Sequence, residues 1–118
     1  MPTLTLMIRG SLNNQEFAAV VQRFRRGYGG QFGGLAFECL LLCSIEPRTV
    51  PQLEDLTGCS RGRLNHAIRT LTPWFDKGTG VVVLPKLHLL QRRRIVNGRG
   101  HRIYVTAAGR ELLSDGKS

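Results

Sequence analysis

A chain of 118 residues is the size of one ordinary domain, 1–118, with enough material for a single core and one site. Its 42% hydrophobic and 21% charged residues exclude wholesale disorder, and no apolar run approaches the roughly 20 residues that cross a bilayer. The formal net charge of +9 is unevenly spread: residues 1–56 balance five Lys/Arg against five acids, whereas residues 57–118 carry twelve against three, pointing to a polyanion-facing surface, nucleic acid before anionic membrane.

In chain order, Thr3 to Ile8 alternates Leu4, Leu6 and Ile8 with Thr3, Thr5 and Met7, the period of a short strand with one buried face. No basic residue precedes this stretch and no small-residue cleavage site follows, so a secretory leader is not expected. Asn13 and Glu16 have the spacing of a helix cap. The helix they open carries Phe17, Val20, Val21 and Phe24 as one apolar stripe and meets stop signals at Arg25, Arg26 and Gly27. Glycines from Gly27 to Gly34 predict a flexible connection.

The nearly all-apolar run from Leu35 to Ile45 predicts a buried helix, ended by Pro47. A second helix is predicted from Thr49 to Thr57, with Thr49 as cap, Pro51 in the first turn, and Leu53 and Leu56 inward. Gly58 allows a sharp turn, and Ser60 caps a third helix with Leu64, Ala67, Ile68 and Leu71 inside, closed by Pro73. Two helices about a glycine turn of three or four residues have the spacing of a helix-turn-helix. Trp74 to Gly80 has no defined pattern. Val81 to Leu84 and Leu87 to Ile95 read as strands, Asn97-Gly98 as a turn, and Arg102 to Thr106 as a return strand with Ile103 and Val105 inward. A short helix from Ala107 to Leu113, presenting Leu112 and Leu113, completes an α+β chain.

Thr49-Val-Pro-Gln-Leu-Glu-Asp-Leu-Thr-Gly-Cys-Ser-Arg-Gly-Arg-Leu, together with the run from Asn97 to Leu113, resembles winged helix-turn-helix regulators of the MarR type. In the second run Thr106, Gly109, Leu112 and Leu113 match the family's Leu-Thr-x-x-Gly-x-x-Leu-Leu ending. The resemblance covers residues 35–113. It implies a winged helix core with a C-terminal β-hairpin wing, preceded by a strand-helix lead over 1–34, and sequence-specific binding of double-stranded DNA by a transcriptional repressor. Asn97-Gly98-Arg99 stands where the family has Asp-Arg-Arg, so Arg99 alone matches the wing arginine. The stretch from Pro73 to Lys86 is longer than the family's connection, and the family's long terminal dimerisation helices have no counterpart.

On the third helix Ser60, Arg61, Gly62, Arg63, Asn65, His66 and Arg69 are candidate DNA contacts, because Arg bonds guanine bidentately, Asn does so to adenine, and Gly62 admits a close backbone approach. On the hairpin, alternation sends Arg92 and Arg94 to one side and Arg93 to the other. Arg92, Arg94, Arg99 and Arg102 are the candidate wing contacts. One small module needs a second half-site for affinity, so a homodimer is expected, joined through the stripe Phe17, Val20, Val21 and Phe24.

Cys39, Cys43 and Cys59 are odd in number and lack zinc spacing, which fits a reducing, cytoplasmic setting. Cys39 and Cys43 share a helix face among apolar neighbours and are expected to be buried thiols and not a redox switch. His66, His88 and His101 have no metal spacing, and no catalytic pattern stands out, so no enzyme, metal or cofactor is expected, and no small-molecule effector can be named. Alternatives are a replication or partition protein on repeated DNA sites, and a winged helix that binds structured RNA or an acidic protein.

Overall fold

The computed structural model describes residues 14–29 and 32–114. The strand expected at Thr3–Ile8 and the Asn13 cap lie outside the described residues. The order is α1 (Asn14–Tyr28), α2 (Gly34–Ile45), β1 (Arg48–Thr49), α3 (Val50–Thr57), α4 (Arg61–Arg69), β2 (Trp74–Asp76), β3 (Val81–Val83), β4 (Leu90–Arg94), β5 (His101–Val105) and α5 (Ala107–Leu113). This is an α+β fold with, among the described residues, five helices and a small antiparallel sheet in the order β1-β5-β4, beside a separate β2–β3 hairpin.

One core joins every helix to the sheet. Leu40 of α2, Leu53 of α3, Leu64 and Ile68 of α4, Leu90 of β4 and Ile103 of β5 are completely buried, and each such side chain contributes roughly 1.5–3 kcal/mol of transfer free energy. α2 is apolar around most of its circumference, with only Glu38 and Ser44 breaking the pattern, because α4 and β5 both pack on it. The junction into the sheet is fixed by backbone: the Leu71 carbonyl accepts from the N–H groups of Leu89 and Leu90, each at 3.0 Å. Thr106 ties the sheet's end to α5, donating to the His88 carbonyl at 2.8 Å and accepting from the Gly109 N–H at 3.0 Å.

The stripe on α1 is part of this core and not a free surface, which corrects its assignment to dimerisation. Val20 and Phe24 are fully buried, and Val21 is half-buried against the core. Phe17, at 40% exposure, meets Phe37 edge-on at 6.3 Å. The cause is an aromatic cluster in which Phe24 lies 5.0 Å from Phe37, 5.2 Å from Tyr28 and 5.8 Å from Phe32 between ring centroids. Tyr28 and Phe32 come from the glycine-rich connection, so its aromatics anchor the described part of it. α1 runs past Gly27 to Tyr28, and Arg23 Nη2 donates to the Leu112 carbonyl at 2.6 Å, tying α1 to α5.

Four further expectations change. Leu56 is 50% exposed, because it lies about 60° around α3 from Leu53, beyond the packed face. α4 ends at Arg69 with Thr70 as its cap, before Pro73 is reached. Val81–Val83 is a strand, as expected, but it pairs with Trp74–Asp76 in its own hairpin and does not join the three-stranded sheet. The strand expected over Leu87 to Ile95 is confined to Leu90–Arg94, where partners on β5 exist.

Candidate nucleic-acid interface

α3 and α4 are built by local chemistry. Thr49 Oγ1 accepts from the Gln52 N–H at 3.3 Å while Gln52 Oε1 accepts from the Thr49 N–H at 2.9 Å, a reciprocal cap that starts α3. Gly58 takes φ +75°, the left-handed turn an L side chain resists, and its N–H donates to Glu54. Two residues later Ser60 Oγ accepts from the Arg63 N–H at 3.3 Å and starts α4. Three residues thus reverse the chain between two short helices and fix the direction of the second.

α4 buries Leu64, Ala67 and Ile68. With about 100° per residue, Gly62, His66 and Arg69 are centred on the opposite face, with Arg61 and Asn65 to one side and Arg63 and Thr70 to the other. Arg61, Gly62, Arg63, His66 and Arg69 are exposed. A Cβ at Gly62 would meet nothing within 4 Å. Arg61 Nη2 lies 3.0 Å from Glu54 Oε1, a surface pair that holds the side chain only weakly.

Two β-hairpins border this face. On the Asn65 side is β4–β5, where Arg92 Nη2 donates to Asn65 Oδ1 at 3.2 Å. Burial, and after it the neighbouring Arg69 charge, hold the Arg92 guanidinium below its ordinary pKa. Arg92 and Asn65, both expected as direct contacts, are therefore bonded to each other, and the carbonyl oxygen that would read adenine already has a donor. Beyond the C-terminal end of α4 is β2–β3, where the Arg69 guanidinium lies 4.8 Å from the Trp74 ring. Between α4, β3 and the end of α1 runs an open groove of about 520 Å³, lined among others by Tyr28, His66, Arg69, Trp74 and Lys86.

The cross-strand register sorts the remaining cations. Arg92 pairs with Ile103 and Arg94 with His101 on the face turned towards the core, whereas Arg93 pairs with Arg102 on the other. The expected split of Arg92 and Arg94 from Arg93 is present. Arg102, grouped with them as a wing contact, lies on the opposite face, beside Arg93, whose guanidinium is 4.8 Å from the Tyr104 ring. Arg99 is exposed in the β4–β5 loop, which turns on Asn97 at φ 63° and closes with the Ile95 N–H donating to Gly100 at 3.1 Å.

The surface around α4 thus offers guanidinium donors and a backbone open at Gly62, chemistry suited to phosphate oxygens and base edges. Sequence reasoning passed over Trp74, Lys86 and Tyr28 on the groove and Tyr104 under Arg93; the Trp-Phe pair before a four-residue turn was the available signal for the first. Among the described residues no cluster of three His, Cys, Asp or Glu could hold a metal, and no helix is long and apolar enough to cross a membrane. Cys39 and Cys43 are buried, and burial pushes their thiols up to about 12 and about 11. Comparison with protein-family models, curated proteins and solved structures finds no match to this chain.

Proposed function

We propose that this chain is a winged helix protein that binds double-stranded DNA sequence-specifically and regulates transcription by repression, with α4 as the recognition helix and β4–β5 as the wing. The observation that carries the reading is the bond between Arg92 and Asn65, which joins the exposed basic face of α4 to a hairpin bearing Arg93, Arg94, Arg99 and Arg102. A helix held against a basic ribbon is a device for entering a major groove while gripping the adjacent backbone. The charge distribution supports it, since residues 57–118 hold the whole excess of nine. Arg63 and His66 on α4 are the readers in this proposal, and Asn65 reads a base once Arg92 is drawn to phosphate. Arg99 enters or borders the minor groove.

The test is selection of bound sequences from random duplexes, followed by titration of the selected site at several salt concentrations. A defined motif is expected, with log affinity falling against log salt at a slope of roughly −5 to −7 as six to eight phosphates are neutralised. No enriched motif, or a flat salt response, refutes the proposal. A single palindrome at a promoter supports regulation, and preference for structured RNA over duplex at fixed salt counts against DNA as the partner.

A further inference from the structure

The β2–β3 hairpin has two unlike faces. Pairing of Trp74 with Val83, Phe75 with Val82 and Asp76 with Val81 sets Trp74, Asp76, Val81 and Val83 on one face and Phe75 and Val82 on the other, with Leu84 just past the end of β3. Trp74 and Val83 face the groove beside α4, whose rim Leu84 also borders. The second face is purely apolar and strongly exposed, with Phe75 at 58% and Val82 at 56%, and Leu84 at its edge is 74% exposed. Half of the ten large hydrophobics exposed among the described residues fall between Phe75 and Leu84. An isolated two-stranded ribbon is marginal in water unless its face packs on something, and among the described residues no further strand joins it.

We propose that this face is where a second copy of the chain packs, Phe75, Val82 and Leu84 against the same residues of the other copy about a two-fold axis. Charge favours a copy here. The chain carries +9, but from Thr70 to Pro85 its only charges are Asp76 and Lys77, which cancel, so two copies meet here without the repulsion that opposes contact through the basic surfaces around it. The size of the patch sets the strength: its three side chains expose roughly 300–400 Å² per copy, below the usual area of a permanent dimer. Association is therefore weak in free solution and becomes firm when two α4 helices occupy neighbouring half-sites. That second part rests on the DNA reading; the contact itself does not.

Sedimentation equilibrium of the full chain without DNA, from about 10 µM to about 1 mM, tests the contact directly. A monomer–dimer equilibrium with Kd on the order of 10–500 µM is expected. Val82→Glu and, separately, Phe75→Ser should each weaken it at least tenfold while circular dichroism shows the fold retained. A wild-type chain that is monomeric throughout overturns the proposal, as does a dimer unaffected by a folded Val82→Glu or Phe75→Ser variant. Should both variants unfold, nuclear magnetic resonance shifts of the wild type across the same concentrations decide, and perturbations away from Phe75, Val82 and Leu84 overturn it. Duplex titration separates the two readings: a chain that dimerises through the hairpin yet ignores DNA retains this surface and loses the DNA reading, and a strict monomer that binds a half-site does the reverse.

Discussion

Arg92 Nη2 donates to Asn65 Oδ1 at 3.2 Å, joining β4 to α4 across 27 positions of sequence. The guanidinium is half-buried and shares its surroundings with Arg69, so Asn65 supplies an acceptor where a second cation only repels. Hydrogen bonds to charged groups contribute about 1.5–3 kcal/mol, and partial exposure reduces that. Asn65→Ala should cost roughly 1–2 kcal/mol of stability. In a cycle of Asn65→Ala, Arg92→Ala and the double variant, urea melts should give a coupling of about 0.5–1.5 kcal/mol. Coupling indistinguishable from zero would mean that the hairpin is held to α4 by its apolar residues alone.

Reading and gripping are assigned to different cations, and they separate in binding experiments. Arg63 is exposed on the first turn of α4, and Arg99 in the loop of β4–β5. Arg63→Ala should cost about 1–3 kcal/mol on the selected site and relax preference at particular bases, while Arg99→Ala should weaken binding evenly and lower the salt slope by about 1. Fluorescence anisotropy on selected and random duplexes measures both. Equal losses on the two duplexes for Arg63→Ala would remove α4 from the reading role.

What could be read from the sequence was local, and what could not depended on contacts between distant residues. The Thr49 cap, the left-handed Gly58 and the Ser60 cap are encoded within a few positions and fall where the sequence placed them. The inward pattern of Leu64, Ala67, Ile68 and Leu71 was legible for the same reason, as was the direction of Ile103 and Val105. The fate of Val20 and Phe24 was not, because an apolar stripe says that something covers it without saying what. Phe37, thirteen positions beyond Phe24, decides that. The β2–β3 hairpin escaped because its strands are three residues long and Lys77-Gly78-Thr79-Gly80 is not a two-residue hairpin turn. At the candidate site the exposed cations of α4 were legible, but the Arg92–Asn65 bond joins two residues whose separation carries no periodic signal.

The cysteines make a prediction independent of DNA. Burial first, and for Cys39 the nearby Cys43 charge next, push these thiols from an ordinary 9.0 to about 12 for Cys39 and about 11 for Cys43. At pH 8 a soluble disulfide reagent should modify only the half-buried Cys59 in the native chain and all three after unfolding. The same shifts fix the sign of an alkaline effect. Folded pKa values lie above the unfolded ones, so the unfolded chain loses its protons first, and the contribution is intact below pH 9 and lost progressively between about 9 and 12. Denaturation midpoints should fall over that window, and Cys39→Ala with Cys43→Ala should flatten the fall. Rapid labelling of all three thiols in the native state would contradict the burial on which both expectations rest.

Gly62 separates the demands of folding from those of binding. It lies in the first turn of α4, at the centre of the exposed face, and a Cβ there would meet nothing within 4 Å. Glycine in an exposed helix is less favourable than alanine by up to about 1 kcal/mol, because the unfolded glycine has more conformational freedom to lose. Nothing inside the molecule compensates for that cost. Gly62→Ala should therefore raise the melting temperature by roughly 2–5 °C. If α4 enters a groove, the added methyl stands between the helix backbone and the duplex, where a tight fit turns a single carbon into a penalty of about 1–3 kcal/mol, or roughly 5- to 150-fold in affinity. Thermal melts and duplex titration of the same variant should move in opposite directions, towards greater stability and weaker binding. A variant that is more stable and binds the selected duplex as well as wild type would show that the Gly62 face looks onto solvent, and α4 would then need another surface to read DNA.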